Sequence, residues 1–303
     1  MRVAVLAGGL GGSRFARALA ETIDPADVTV VGNVGDDLEI AGLHVSPDLD
    51  TILYTLAGVL DEERGWGRAE ESWNARDVAT GLGAETWFQL GDRDLGLHLA
   101  RTEALRSGEP LSAVTARFAR ALGVATSILP ATDDRLRTWV ATPAGELSFQ
   151  EWFVRRGHRD DVDGVRFEGA ERAKAAPGVL AALDRADLIA IAPSNPFVSI
   201  RPILAVNGIR EALEGRRAPA VAVSPLIGGR AVRGPADRML ARLGGGTGPA
   251  QVARCYEGLI DALVVDEADA DEDAGIPTIV THTLMRDADS RRRLAEAVLG
   301  VPV

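Results

Sequence analysis

Short apolar runs and turn residues alternate along this chain. Val3 to Leu6 is an uninterrupted apolar run of strand length, followed at once by Gly8-Gly9-Leu10-Gly11-Gly12-Ser13-Arg14. Phe15, Ala18 and Leu19 then share one helical face, which predicts a helix from about Gly12 to Glu21. A second apolar run, Val28 to Val31, leads into Asn33-Val34-Gly35-Asp36-Asp37. The pattern so far is strand, glycine turn, helix, strand.

The period changes over residues 51–124. Ile52, Leu53, Leu56, Val59 and Leu60 have helical spacing, as do Leu95, Leu99 and Leu105, and Val114, Phe118 and Leu122 fall at i, i+4 and i+8. No convincing strand interrupts them. Strand-like runs return afterwards. Thr126–Leu129, Thr138–Thr142 and Leu147–Phe153 suit antiparallel ribbons. Leu188–Ile191, Ala220–Val223, Ala262–Val265 and Thr278–Val280 read as short buried strands. They alternate with helices near 177–185, 200–214, 235–243, 249–259 and 286–299. This order predicts an α/β fold: a Rossmann-like, doubly wound, mostly parallel sheet built from residues 1–50 and 125–303, carrying a small all-helical insertion at 51–124. Ligands of such sheets bind at the carboxyl ends of the strands, near the topological switch point.

Composition narrows the function. With 46% hydrophobic residues over 303 positions, a sizeable core is available. A net charge of −11 argues against nucleic acid as a partner. No apolar run is long enough for a membrane span. The single cysteine, Cys255, excludes an internal disulfide and a Cys-rich metal site, and fits a reducing cytoplasm. The basic residues are arginines except for Lys174, which reads as coding bias.

The candidate chemistry lies at predicted strand ends. The Gly8–Gly12 turn follows a strand and opens a helix, the context in which backbone N–H groups hold phosphate. It lacks the Lys-Ser/Thr of a Walker A loop, and the alternative is a tight turn without a ligand. Gly9, Gly11 and Gly12 are the candidate phosphate contacts, with Asn33 beside them. Asp36 and Asp37 end the second strand, and Ser46-Pro47-Asp48-Leu49-Asp50-Thr51 opens a helix. An Asx turn or helix capping accounts for one acid at each place. Four aspartates beside a phosphate-binding turn would repel the ligand unless a cation lay between, and oxygen-only donors select Mg²⁺. In Gly91-Asp92-Arg93-Asp94, Asp92 suits a helix cap and Arg93 suits an anion, with His98 sharing the same cleft. Phe149-Gln150-Glu151-Trp152-Phe153 reads as an aromatic strand, more often core than site. Ala192-Pro193-Ser194-Asn195-Pro196 and Val223-Ser224-Pro225 close two successive strands, which points Ser194, Asn195 and Ser224 at one cleft.

The set Gly8–Arg14, Asn33–Asp37, Ser46–Thr51, Gly91–Asp94, Ile128-Leu129-Pro130, Phe149-Gln150-Glu151, Pro193–Pro196 and Ser224-Pro225 resembles the 2-phospho-L-lactate transferase family of coenzyme F-420 biosynthesis, in order and over nearly the whole chain. The resemblance implies a Rossmann-like domain with a helical insertion, and a homodimer. It implies transfer from a guanosine-diphospho-linked donor to the terminal ribityl hydroxyl of the deazaflavin Fo, with GMP released. Asp36 and Asp48 match the family's metal-binding aspartates. Asp50 would then lie near the Fo hydroxyl, either positioning it or accepting its proton, and Arg93 near the donor's carboxylate or phosphate. Ser194, Asn195 and Ser224 become candidates for guanosine recognition. The Gly8–Arg14 turn, the arginine-rich composition and Arg64-Gly65-Trp66-Gly67 look similar to the actinobacterial branch, which favours a phosphoenolpyruvyl over a 2-phospho-L-lactyl donor. Two other readings stay open: an NAD-dependent oxidoreductase with Asp36 on the ribose, and a nucleotide-binding regulator related to a bacterial gluconeogenesis factor.

Overall fold

Seven of the apolar runs meet edge to edge in the computed structural model, which describes residues 1–301. In chain order the strands are β1 (Val3–Ala7), β2 (Val28–Gly32), β3 (Leu38–Ile40), β4 (Leu43–Val45), β5 (Ser127–Pro130), β6 (Arg137–Thr142), β7 (Gly145–Ser148), β8 (Gly164–Glu168), β9 (Leu188–Ile191), β10 (Ala220–Val223), β11 (Leu226–Ile227), β12 (Arg230–Ala231), β13 (Ala262–Asp266) and β14 (Thr278–Thr281). The main sheet has the order β14-β13-β10-β9-β1-β2-β5, and every pairing in it is parallel. Every residue of β1, β9, β10 and β13 is buried. Sheets covered on both faces need such continuous apolar strands.

The helices are α1 (Gly9–Thr22), α2 (Pro47–Leu56), α3 (Asn74–Gly81), α4 (Asp92–Arg106), α5 (Leu111–Ala121), α6 (Val179–Arg185), α7 (Arg201–Leu204), α8 (Ile209–Glu214), α9 (Ala236–Gly244), α10 (Pro249–Cys255) and α11 (Ala288–Leu299). α1 packs against α2 and α11. From β1 the chain steps outward to β2 and β5, then returns to lay β9 on the other side of β1. The direction of winding therefore reverses between β1 and β9, and a crevice opens at their carboxyl ends. No helix among the described residues is long and apolar enough to cross a membrane.

Several expectations need correction. Ser127–Pro130 is no ribbon: it is the edge strand of the main sheet, with Ile128 in register with Val30. Its proline sits where an edge strand tolerates a missing N–H. The antiparallel sheet is instead β7-β6-β8. The aromatic segment is not a strand beyond Ser148. Glu151 accepts from the Ser148 N–H and hydroxyl, and residues 151–155 close into a π-helical turn. The helix expected over 200–214 is two, broken ahead of Gly208 at φ +88°. α1 begins at Gly9 rather than Gly12. In α4, Leu99 is exposed while Asp94, His98 and Arg101 are buried, the reverse of the leucine pattern. Two hairpins were not expected, β3–β4 and β11–β12. The first turns on Ala41 and Gly42, the second on Gly228 and Gly229, all at positive φ.

Candidate active site

The crevice at the switch point is the mouth of a cavity of about 870 Å³. Gly8, Gly9 and Gly11 line it from the turn after β1, and Pro193, Ser194 and Asn195 line it from the turn after β9. The Ser194 hydroxyl holds the two turns together, donating to the Gly8 carbonyl at 2.8 Å and accepting from the Gly8 N–H at 3.3 Å. Asn195 caps the following turn by accepting from the Phe197 N–H at 2.9 Å. Ser224 lines the cavity from the next strand and bonds the Leu226 backbone.

The glycines of this turn do different work. A Cβ on Gly11 would lie 2.5 Å from the Pro193 carbonyl oxygen, and one on Gly12 would lie 2.7 Å from the Ser194 hydroxyl. Gly12 is buried and outside the cavity lining, so it is a packing residue rather than a phosphate contact. Because backbone cannot retreat cheaply, Gly11→Ala is expected to lose about 1–3 kcal/mol of stability. Gly81→Ala, in a helix with open space around the new methyl, should be neutral or slightly stabilising. Urea midpoints compare the two, and a Gly11→Ala midpoint no lower than that of Gly81→Ala contradicts the close approach of Gly11 to the Pro193 carbonyl.

Asp36 and Asp48 both line the cavity while being only 4% and 7% exposed. Asp48 sits in the first turn of α2 but does not cap it. Its Oδ2 accepts from Asn33 Nδ2 at 2.9 Å. Asn33 is fully buried, also donates to the Val198 carbonyl, and accepts from the Gly35 N–H. It therefore orients Asp48 from behind and does not itself reach the cavity. Burial pushes the Asp48 carboxyl up to about 6. Burial, then the charge of Asp48, holds Asp36 well above the ordinary carboxylate range. One buried oxygen of Asp36, Oδ1, has no hydrogen-bond partner among the described residues. Two mutually repelling buried carboxylates with an orphaned oxygen fit a cation. Among the described residues no group of three or more His, Cys, Asp or Glu is placed to hold one. That donor set suits Mg²⁺, which takes one or two carboxylates and completes its shell with water and substrate phosphates.

Asp50 also lines the cavity, but both its oxygens are engaged by the buried Arg101, Oδ2 at 2.9 Å and Oδ1 closer still. Arg93 departs from expectation. It is half-exposed, pairs with Glu70 at 3.1 Å, and is not part of the cavity wall. Asp92 caps the start of α3, accepting from the N–H groups of Asn74 and Ala75, and the bond from the Ser72 hydroxyl, followed by those from Ala75 and Asn74, brings its carboxyl down to about 2. Glu71 caps α4 by accepting from the N–H groups of Arg93 and Asp94. His98, expected to share a cleft with Arg93, lines the cavity without it.

The cationic residues of the wall are Arg14, paired with Glu62, and Arg233, which donates to the Arg64 carbonyl at 2.9 Å. Both sit beside glycine-rich turns, a signal the sequence reading did not use. The cavity also carries Trp66, Trp87, Phe88, Phe149 and Phe153. Phe149 and Phe153 stack at 5.2 Å between centroids. Glycine N–H groups, paired acids and flat aromatic faces thus meet in one space, able to take a phosphorylated ligand and a planar one.

The profile of the family described as 2-phospho-L-lactate transferase CofD matches residues 3–296. The chain is 45% identical to a protein from Streptomyces coelicolor named phosphoenolpyruvate transferase, covering 99% of this chain and 97% of that one. Proteins of the same name from Thermobifida fusca and Mycobacterium tuberculosis are 42% and 41% identical, covering 99% and 98% of this chain and 98% and 97% of theirs. Two crystal structures of a UPF0052-family protein from Bacillus halodurans superpose with TM-scores of 0.64 and 0.66 at 19% identity, covering 98% of this chain and 98% and 99% of theirs. At that identity the likeness shows a shared fold. The chain is a transferase that belongs to the CofD family of 2-phospho-L-lactate transferases.

Proposed function

We propose that this protein transfers a phosphoenolpyruvyl group from a guanosine-diphospho-linked donor to the terminal hydroxyl of Fo, releasing GMP, in coenzyme F-420 biosynthesis. The observation that carries the reading is the single cavity, large by the standard of small-ligand sites, that combines a nucleotide-type turn, paired carboxylates and an aromatic wall. The names of the actinobacterial relatives favour phosphoenolpyruvate over 2-phospho-L-lactate as the transferred acid.

Asp36 and Asp48 would hold Mg²⁺, with Asn33 keeping Asp48 in place. When bound, the ion offsets diphosphate charge and stabilises the departing GMP oxygen. The N–H groups of Gly9 and Gly11 at the start of α1 would hold phosphate, and Arg14 and Arg233 supply positive charge at the same wall. Ser194, Asn195 and Ser224 line the guanosine side. The segment 51–124, taken as a unit that covers the cleft, brings Tyr54, Trp66, Trp87, Phe88, Asp94 and His98 to the cavity. Its aromatic residues, with Phe149 and Phe153, would cover the deazaflavin ring. Asp50, neutralised by Arg101, shapes the field around the acceptor hydroxyl. A homodimer in solution belongs to the same reading, and light scattering on a sizing column tests it.

The direct test incubates the purified protein with Mg²⁺, Fo and each guanylylated acid, and identifies products by mass spectrometry. Dehydro coenzyme F-420-0 and GMP are expected from the phosphoenolpyruvyl donor. A protein that consumed neither donor, or that was heat-stabilised by NAD but not by GDP, would falsify the proposal.

A further inference from the structure

Asp36, Asp48, Asp50, Glu62 and Asp94 are the carboxylates of the cavity wall. Four of them are committed. Asp36 and Asp48 are the candidate ligands of the ion, and Asp50 has both oxygens on Arg101. Glu62 is half-exposed and spans Arg14 at 2.8 Å and Arg17 at 3.3 Å. Asp94 differs. Its Oδ1 accepts the Tyr54 hydroxyl at 2.5 Å and lies 3.7 Å from His98 Nε2. Its Oδ2 has no hydrogen-bond donor among the described residues, and the side chain lines the cavity while 6% exposed.

We infer that Asp94 accepts the proton of the attacking hydroxyl, with Tyr54 and His98 as the residues that position its carboxylate. The inference rests on the transfer reaction proposed above. As the acceptor oxygen bonds to the donor phosphorus distal to guanosine, its proton passes to Asp94 Oδ2. The phosphorus–oxygen bond to GMP breaks and its electron pair leaves with GMP. Asp94 then returns the proton to water.

The surroundings suit that task. The charged and titratable groups facing Asp94 are Tyr54 and Asp50 from α2, Glu71 from the loop before α4, and His98 and Arg101 from α4 itself. Burial, opposed first by the Tyr54 hydrogen bond, raises the Asp94 carboxyl to about 7, and a base works best when it titrates near the operating pH. Burial brings His98 down to about 4, so it stands beside Asp94 as a neutral imidazole. Among the described residues its Nε2 has no partner within hydrogen-bonding distance and lies 3.7 Å from Asp94 Oδ1, which leaves it available to that carboxylate.

The test compares the parent with Asp94→Asn and Tyr54→Phe, using Fo and the guanylylated donor that turns over. Asp94→Asn keeps the acceptor for Tyr54 but cannot take a proton. Its kcat should fall by ~10²–10³-fold while KM for both substrates stays within about threefold. In Tyr54→Phe the hydrogen bond that lowers Asp94 is gone, so the rising limb of kcat against pH should move to higher pH. An Asp94→Asn enzyme that keeps its kcat, or that changes only in KM, overturns the assignment and leaves the transfer reaction standing. If Asp94→Asn does not fold, Tyr54→Phe decides alone, and an unmoved limb overturns it. A parent protein inert with both guanylylated donors removes the reaction and this role together.

Discussion

Asp48→Asn is expected to cut turnover ~10²-fold or more, about 3 kcal/mol of transition-state stabilisation, while making the magnesium-free protein more heat-stable than the parent. The two effects have one cause. Asp48 is 7% exposed, and burial sets its carboxyl near 6, above the ordinary 3.8. Between those values the folded chain holds a proton that the unfolded chain has released. Stability therefore falls as pH rises through that window, and above it the buried anion is fully unfavourable. The amide keeps an oxygen for Asn33 and removes the repulsion with Asp36, but it is a poorer ligand for a hard cation. Thermal melts in EDTA at pH 5 and pH 7.5 measure the first effect, and magnesium titration of activity the second. A variant that melts below the parent at pH 7.5, or that keeps the parent's magnesium response, contradicts the assignment of Asp48. Sites tuned for function at the expense of stability commonly behave in this way.

Arg101→Ala should destabilise the fold by about 3–5 kcal/mol, the usual cost of leaving one member of a buried ion pair alone. Arg101 is 2% exposed and Asp50 4%, and the guanidinium also lies 3.4 Å from His98 Nδ1. Removing the arginine leaves a largely buried carboxylate without its counter-charge. The double variant Asp50→Leu, Arg101→Met removes both charges and should recover most of the loss, because apolar side chains of similar size replace buried pairs well. It should nonetheless be inactive, since Asp50 lines the cavity. Urea denaturation of the single and double variants, with turnover measured alongside, decides the matter. A single variant no less stable than the double one shows that Asp50 finds another partner.

Much of this architecture is legible in the chain, for identifiable reasons. Strands β1, β9 and β10 lie in a sheet covered on both faces, so each is a short unbroken apolar run; β2 is interrupted only by Thr29, and β13 is apolar up to Asp266. Asp36 and Asp48 stand out because acids at a strand end and a helix start beside a glycine turn have no simple structural use together. Arg93 and Asp94 show where the reading fails. They are neighbours at the start of one helix, about 100° apart around it, and the sequence does not say which one faces inward. Asp94, His98 and Arg101 do recur at i, i+4 and i+7, but Leu95, Leu99 and Leu105 offer a competing stripe of the usual apolar kind. The buried face is the polar one because Asp94 and His98 wall a cavity and Arg101 is buried in a pair with Asp50. The aromatic segment fails for a different cause. Its residue types favour a strand, and a local hydrogen bond from Ser148 to Glu151 overrides them. Asn33 reads as a ligand contact at a strand end but lies one layer behind the cavity, on Asp48.

The clasp between Gly8 and Ser194 joins positions 186 residues apart in the sequence. At ordinary synthesis speeds roughly 10–40 s separate the emergence of the two from the ribosome. Through that interval one edge of β1, all valine, alanine and leucine, waits for a neighbour not yet made. Bare apolar edges of this kind invite aggregation. The arrangement that builds the crevice thus leaves that edge open until late in synthesis, and a stop anywhere before β9 leaves a fragment that cannot cover it with its native neighbour.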